Sequence, residues 1–168
     1  MNITVSETIN APIERVFAIA SDIPNCAGFI KGIETIETLE DAPPAPDNLG
    51  PVGKGYTWRE TRIMFGKKAT EDMSITVWSP PTGYTVEARS HGSHYLSEFT
   101  FDQIDDQNDD QNDDQTDDQS TRITMSFNAT PETFGAKVMM MVFAFMTKKL
   151  TKCLVDDLKD IKTTAEAE

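Results

Sequence analysis

Residues 56–78 read YTWRETRIMFGKKATEDMSITVW, and their pattern decides the fold. Two runs of alternating side chains flank Phe65-Gly66, a pair suited to a tight hairpin turn. With a two-residue turn, Trp58 lies opposite Met73 and Tyr56 opposite Ile75 on one face, while Arg59 lies opposite Asp72 on the other. Apolar meets apolar and cation meets anion, and a slip of one residue would undo both matches. The same register sets Glu60 across from Glu71 on the inward face, where packing alone would not choose two carboxylates.

Downstream, the loop Ser79-Pro80-Pro81-Thr82-Gly83 leads into a third strand, pairing Val77 with Tyr84, Ile75 with Val86 and bringing Ser90 beside Glu71. A Gly92-Ser93 turn then predicts His91 opposite His94, Ser90 opposite Tyr95, Val86 opposite Phe99 and Tyr84 opposite Phe101. Four strands so contribute Glu60, Glu71, Ser90 and Tyr95 to one polar row above an apolar floor of Trp58, Met73, Ile75, Val86, Phe99 and Phe101. Residues 120–130 form the last strand, with Ile123, Met125 and Phe127 inward.

Upstream, residues 2–9 alternate as a strand, Pro12 opens a helix where its missing N–H is harmless, and residues 21–29 predict a short second helix. Residues 31–39 are a second strand, and the Pro- and Gly-rich residues 41–55 a loop at the mouth of any cavity. From Pro131 onward Phe134, Val138, Met141, Val142, Phe145, Leu150, Leu154, Leu158 and Ile161 recur at helical spacing. This predicts one helix of roughly 30 residues, long for a globular protein. Methionines 139–141 and Met146 offer a soft apolar lining or, equally, simple core filling.

The whole is an α+β arrangement: a curved antiparallel sheet of six or seven strands around a long C-terminal helix, with two short helices between strands one and two. At 168 residues, 38% hydrophobic and 26% charged, the chain reads as a single domain over residues 1–168 that needs no disulfide or metal to bury a core. Its net charge of -13 is concentrated: residues 105–119 hold eight Asp and no basic residue, leaving -5 for the rest. Such a repetitive acidic segment cannot pack and reads as a low-complexity loop insert. A calcium role for it lacks the glycine and terminal glutamate of an EF-hand loop.

The acidic balance disfavours nucleic acid and anionic membranes as partners. No secretory signal is visible, no apolar stretch reaches the roughly 20 residues that cross a bilayer, and Cys26 and Cys153 match no metal or redox spacing, so the expected location is the cytoplasm. His91 and His94 flank a turn with no third ligand, and the glycines at 50, 53 and 55 precede a strand rather than a helix. Neither a metal nor a cofactor is therefore expected.

The run GKGYTWRETRIMFGKKATEDMSITVWSPPTGYTVEARSHGSHYLSEFTFD, followed by TRITMSF and the terminal helix, resembles the SRPBCC superfamily with its helix-grip fold, in particular the polyketide cyclase/dehydrase-like branch. The superfamily also includes START lipid-transfer domains and birch-pollen-allergen-like proteins. The resemblance spans nearly the whole chain except the Asp-Asp-Gln insert. It implies a cavity between sheet and C-terminal helix for a small hydrophobic ligand such as a lipid, polyketide or quinone, and it does not imply one reaction.

Site residues accordingly come from the strand registers. Trp58, Arg62, Met73, Ser90, Tyr95, Phe99, Phe101, Met125, Phe127, Met141 and Phe145 are the expected ligand contacts. Glu60 and Glu71 allow two readings. As a pair in a low-dielectric site, one carboxyl would be raised and act as general acid beside a general base, giving cyclisation or dehydration of a polyketide-like substrate. Alternatively Arg62, inward on the same strand, neutralises a carboxylate in a buried ion network.

Overall fold

The computed structural model describes residues 1–41, 52–104, 119–143 and 146–167, with the side chains of residues 139, 140, 142 and 143 outside that description. Residues 42–51 of the expected mouth loop and residues 105–118 of the acidic insert fall outside it. In chain order the elements are β1 (Asn2–Ile9), α1 (Ile13–Ala20), a 3-10 helix (Ile23–Gly28), β2 (Ile33–Glu40), β3 (Thr57–Met64), β4 (Lys67–Ser79), β5 (Gly83–Ser90), β6 (Ser93–Ile104), β7 (Ser120–Pro131), α2 (Phe134–Phe143) and α3 (Thr147–Ala165). The strands form one seven-stranded antiparallel sheet in the order β1-β7-β6-β5-β4-β3-β2. Because β1 pairs with β7 while β2 lies at the far edge, the two short helices carry the chain across the inner face.

Aromatic packing fixes that crossing. Phe17 of α1 is fully buried and meets Trp78, Tyr84 and Phe101 edge-on, with ring centroids 5.1, 6.1 and 5.3 Å away. The buried Tyr84 hydroxyl donates to the Ala20 carbonyl at 2.7 Å, and Thr121 Oγ1 donates to the Ala11 carbonyl at 2.7 Å, so both ends of α1 are tied to the sheet. Helix α3 packs on β1 and α1 with Leu154, Leu158 and Ile161 buried.

The β3–β4 hairpin has the expected register, Trp58 facing Met73 and Glu60 facing Glu71, and Phe65 and Gly66 both take positive φ, 55° and 77°. Arg59 bridges Asp72 across the outer face at 2.7 Å. Two other registers differ from expectation. A bulge between Ile75 and Val77 breaks the β4–β5 alternation, so Trp78 rather than Val77 faces Tyr84, and Val77 turns outward. The β5–β6 turn is His91-Gly92, not Gly92-Ser93, which moves every pair by two: Ser90 faces Ser93, Ala88 faces Tyr95, Val86 faces Ser97 and Tyr84 faces Phe99.

The reason is local. His91 and Gly92 take φ of 49° and 72°, and the N–H groups of Glu132 and Thr133 both donate to the Gly92 carbonyl, holding the turn against the end of β7. A Cβ at Gly92 would lie 2.4 Å from Thr133 Oγ1, so only glycine fits. C-terminally, where one helix of roughly 30 residues is expected, helix is described over α2 and α3, with residues 144 and 145 between them outside the described residues.

Candidate functional site

The observed registers divide the inner face into two parts. Beneath α1 and α3, Ile75, Tyr84, Phe101 and Ile123 are buried in a continuous core that also takes in Trp58 and Met125. Toward the β5–β6 turn the inward positions become small: Ala88, Ser90, Ser93, Ser97 and Ala129. The large side chains set among them, Met73, Tyr95, Phe99 and Phe127, are only half-buried although they sit on central strands. Tyr95 and Phe127 stack with centroids 6.0 Å apart.

A central inward position normally is covered completely. Here four large apolar groups stay partly exposed beside small neighbours, with hydroxyls next to them. Of the expected contacts, Met73, Ser90, Tyr95, Phe99 and Phe127 therefore share this region, while Trp58, Phe101 and Met125 belong to the packed core beside it. Tyr95 sits one step nearer the floor than expected, since Ser93 takes its place opposite Ser90. Met141 is 69% exposed on α2, and Phe145 lies outside the described residues.

The charged groups sort differently. Arg62 bridges Glu60 and Asp157 of α3, with Nε 2.9 Å from Glu60 Oε1 and Nη2 donating to Asp157 Oδ2 at 2.8 Å. All three side chains are under one-fifth exposed. Burial pushes the Glu60 carboxyl up, against the pull of the Arg62 charge and the Trp58 indole; burial likewise raises Asp157, again opposed by Arg62. Two carboxylates thus share one guanidinium. Glu71 stands across the strand pair but points to different company, with Oε1 4.0 Å from His91 Nδ1. His91 Nδ1 lies in turn 3.2 Å from Ser90 Oγ.

Asp157 was not among the expected site residues. It shares a helical stripe with Leu154, Leu158 and Ile161, and an acid on an otherwise apolar face signals a buried partner. Asp160 repeats the device, accepting from the Lys31 backbone N–H at 2.9 Å and Lys31 Nζ at 2.8 Å. Met73 and Ala88, together with Leu39, Glu40, Thr57, Asp72, Ser74, Glu87 and Arg89, line a wide, shallow depression of about 520 Å³ whose rim is charged. It shares only Met73 with the expected contacts. No group of three or more His, Cys, Asp or Glu side chains that could hold a metal occurs among the described residues.

Seven antiparallel strands, an α1 crossing and helices returning over the inner face define the α+β helix-grip class. Within that class, the chain belongs to the family described as polyketide cyclase / dehydrase and lipid transport, whose profile matches residues 1–161. Among solved structures it is similar to the Zhui aromatase/cyclase from Streptomyces sp. R1128, at 14% identity and a TM-score of 0.72, covering 99% of this chain and 93% of that one. A START superfamily protein from Mycobacterium smegmatis is 12% identical with a TM-score of 0.65, over 98% and 97% of the two chains. TTHA0849 from Thermus thermophilus is 16% identical with a TM-score of 0.65, over 99% and 100%. At these identities the likeness is one of fold. Comparison with curated proteins gives no match.

Proposed function

We propose that the chain binds a small, largely apolar molecule in the recess formed by Met73, Tyr95, Ser97, Phe99 and Phe127, between the sheet and the C-terminal helices. The observation that carries this reading is the half-burial of Met73, Tyr95, Phe99 and Phe127 on central strands, beside small Ala88, Ser93 and Ala129. Family membership supports it, since the family description joins lipid transport to cyclase and dehydrase activity. A ligand with a planar apolar body matches the stacked Tyr95–Phe127 pair, and the hydroxyls of Ser90 and Ser97 offer a hydrogen bond to a carbonyl or hydroxyl. Two cysteines without a disulfide fit a reducing compartment, so a cytoplasmic site of action belongs to the same proposal.

Titration with cis-parinaric acid tests the recess. Ser97→Trp fills it from its floor and is expected to weaken binding at least about tenfold with the melting temperature kept within a few degrees. Unchanged affinity in a folded Ser97→Trp protein would place the ligand elsewhere.

A second reading, acid/base cyclisation or dehydration of a polyketide-like substrate, is favoured by the direct Glu60–Glu71 register and by the raised Glu60 carboxyl. Against it, Arg62 already engages Glu60. Glu71→Gln separates the two: a carrier keeps its affinity for a neutral ligand, whereas an acid/base enzyme binds and loses turnover.

A further inference from the structure

Among the described side chains of helix α2, Ala136 is buried, at 5% exposure, while Phe134, Val138 and Met141 are 82%, 48% and 69% exposed. These three stand at i, i+4 and i+7, one stripe along the helix. Single exposed apolar residues are ordinary, but an aligned stripe of three large ones on a ten-residue helix marks a surface that something covers.

Charge says what kind of surface. Residues 133–155 contain four lysines and no Asp or Glu, in a chain whose net charge is -13. Lys137, Lys148 and Lys149 are exposed. The acidity of the whole chain argues against anionic surfaces, and this local reversal of sign singles out the α2 end as the part that could face one. No described helix is long and apolar enough to cross a membrane. The combination of an apolar stripe, flexible methionine and flanking lysines is that of a helix lying in an interface.

We propose that α2 docks the protein on anionic lipid bilayers, with Phe134, Val138 and Met141 entering the headgroup–acyl boundary and Lys137, Lys148 and Lys149 meeting acidic headgroups. This inference stands apart from the recess reading, since neither a ligand nor a reaction enters it.

Co-sedimentation with phosphatidylcholine vesicles, with and without phosphatidylserine, tests it. The wild-type protein is expected to pellet with phosphatidylserine-containing vesicles and to release as salt rises. Phe134→Ser/Met141→Ser, at exposed positions, should weaken binding at least about tenfold while leaving the melting temperature unchanged. Lys148→Gln/Lys149→Gln should lower the phosphatidylserine-dependent part roughly twenty-five-fold, about fivefold per lysine. Absence of binding to both vesicle types would overturn the proposal, as would binding indifferent to Phe134→Ser/Met141→Ser. A concentration-dependent dimer abolished by that pair, without vesicle binding, would overturn it too and assign the stripe to a second copy of the chain.

Discussion

Replacing Arg62 by Met removes the one cation between two buried carboxylates while keeping most of the side-chain volume. Arg62 lies 2.9 Å from Glu60 and 2.8 Å from Asp157, and no member of the triad is more than 17% exposed. Breaking a buried ion pair by removing one partner typically costs about 3–5 kcal/mol, because a charge remains buried without compensation. Against a total stability of roughly 5–15 kcal/mol, that is a large share. In urea it corresponds to a midpoint lowered by roughly 2 M, read from the fluorescence of Trp58 and Trp78.

The loss should also depend on pH in a definite direction. Burial raises both carboxyls in the folded state even with Arg62 present, and without it they rise further. A carboxyl whose folded pKa exceeds its unfolded value of about 4 binds its proton more readily when folded. Its contribution is therefore favourable at low pH and is lost as pH climbs through the raised folded pKa. The Arg62→Met penalty should be larger at pH 7.5 than at pH 5. Glu60→Gln/Arg62→Met/Asp157→Asn should regain most of the loss at pH 7.5. A penalty below about 1 kcal/mol, or one equal at the two pH values, would refute the triad as a buried electrostatic tie between β3 and α3.

Three further outcomes follow from the packing. Gly92→Ala should destabilise by about 1–3 kcal/mol, seen as a lower melting temperature, because φ is +72° and the added methyl meets the Thr133 side chain. Tyr84→Phe should cost about 1–2 kcal/mol in urea denaturation by leaving the Ala20 carbonyl without its buried donor. With Ellman's reagent at pH 8, Cys26 should stay unlabelled in the native protein: it is buried, and burial followed by the Glu60 charge pushes its thiol up to about 12. Half-exposed Cys153 should react first, and Cys26 labelling at the rate of a free thiol would contradict the packing around the 3-10 helix.

Fold and site were legible to different depths, for physical reasons. The β3–β4 hairpin could be read because its turn chemistry and two independent cross-strand matches agree on one register. The β5–β6 hairpin offered two adjacent turn pairs sharing Gly92, and alternation could not choose between them, since a shift of two keeps every side chain on its face. That error hid the clustering of Ala88, Ser93, Ser97 and Ala129 beside the half-buried Tyr95, Phe99 and Phe127. Nothing in Ile75-Thr76-Val77-Trp78 announces a bulge, because each of those residues suits a regular strand. The Arg62–Asp157 tie joins positions 95 residues apart and is set by how α3 lies on the sheet. Only Asp157's place on an apolar helical stripe hinted at it.

The central claim concerns where an apolar ligand sits, and the methionine methyl groups report on it directly. Met73 belongs to the proposed recess, Met125 lies in the core beside it, Met64 at the β3–β4 turn and Met141 is exposed on α2. In a protein carrying carbon-13 methionine methyls, titration with cis-parinaric acid should shift Met73 first and most, with Met125 following and Met64 unmoved. Shifts confined to Met141 or Met64, with Met73 silent at saturation, would contradict a ligand site between the sheet and the C-terminal helices.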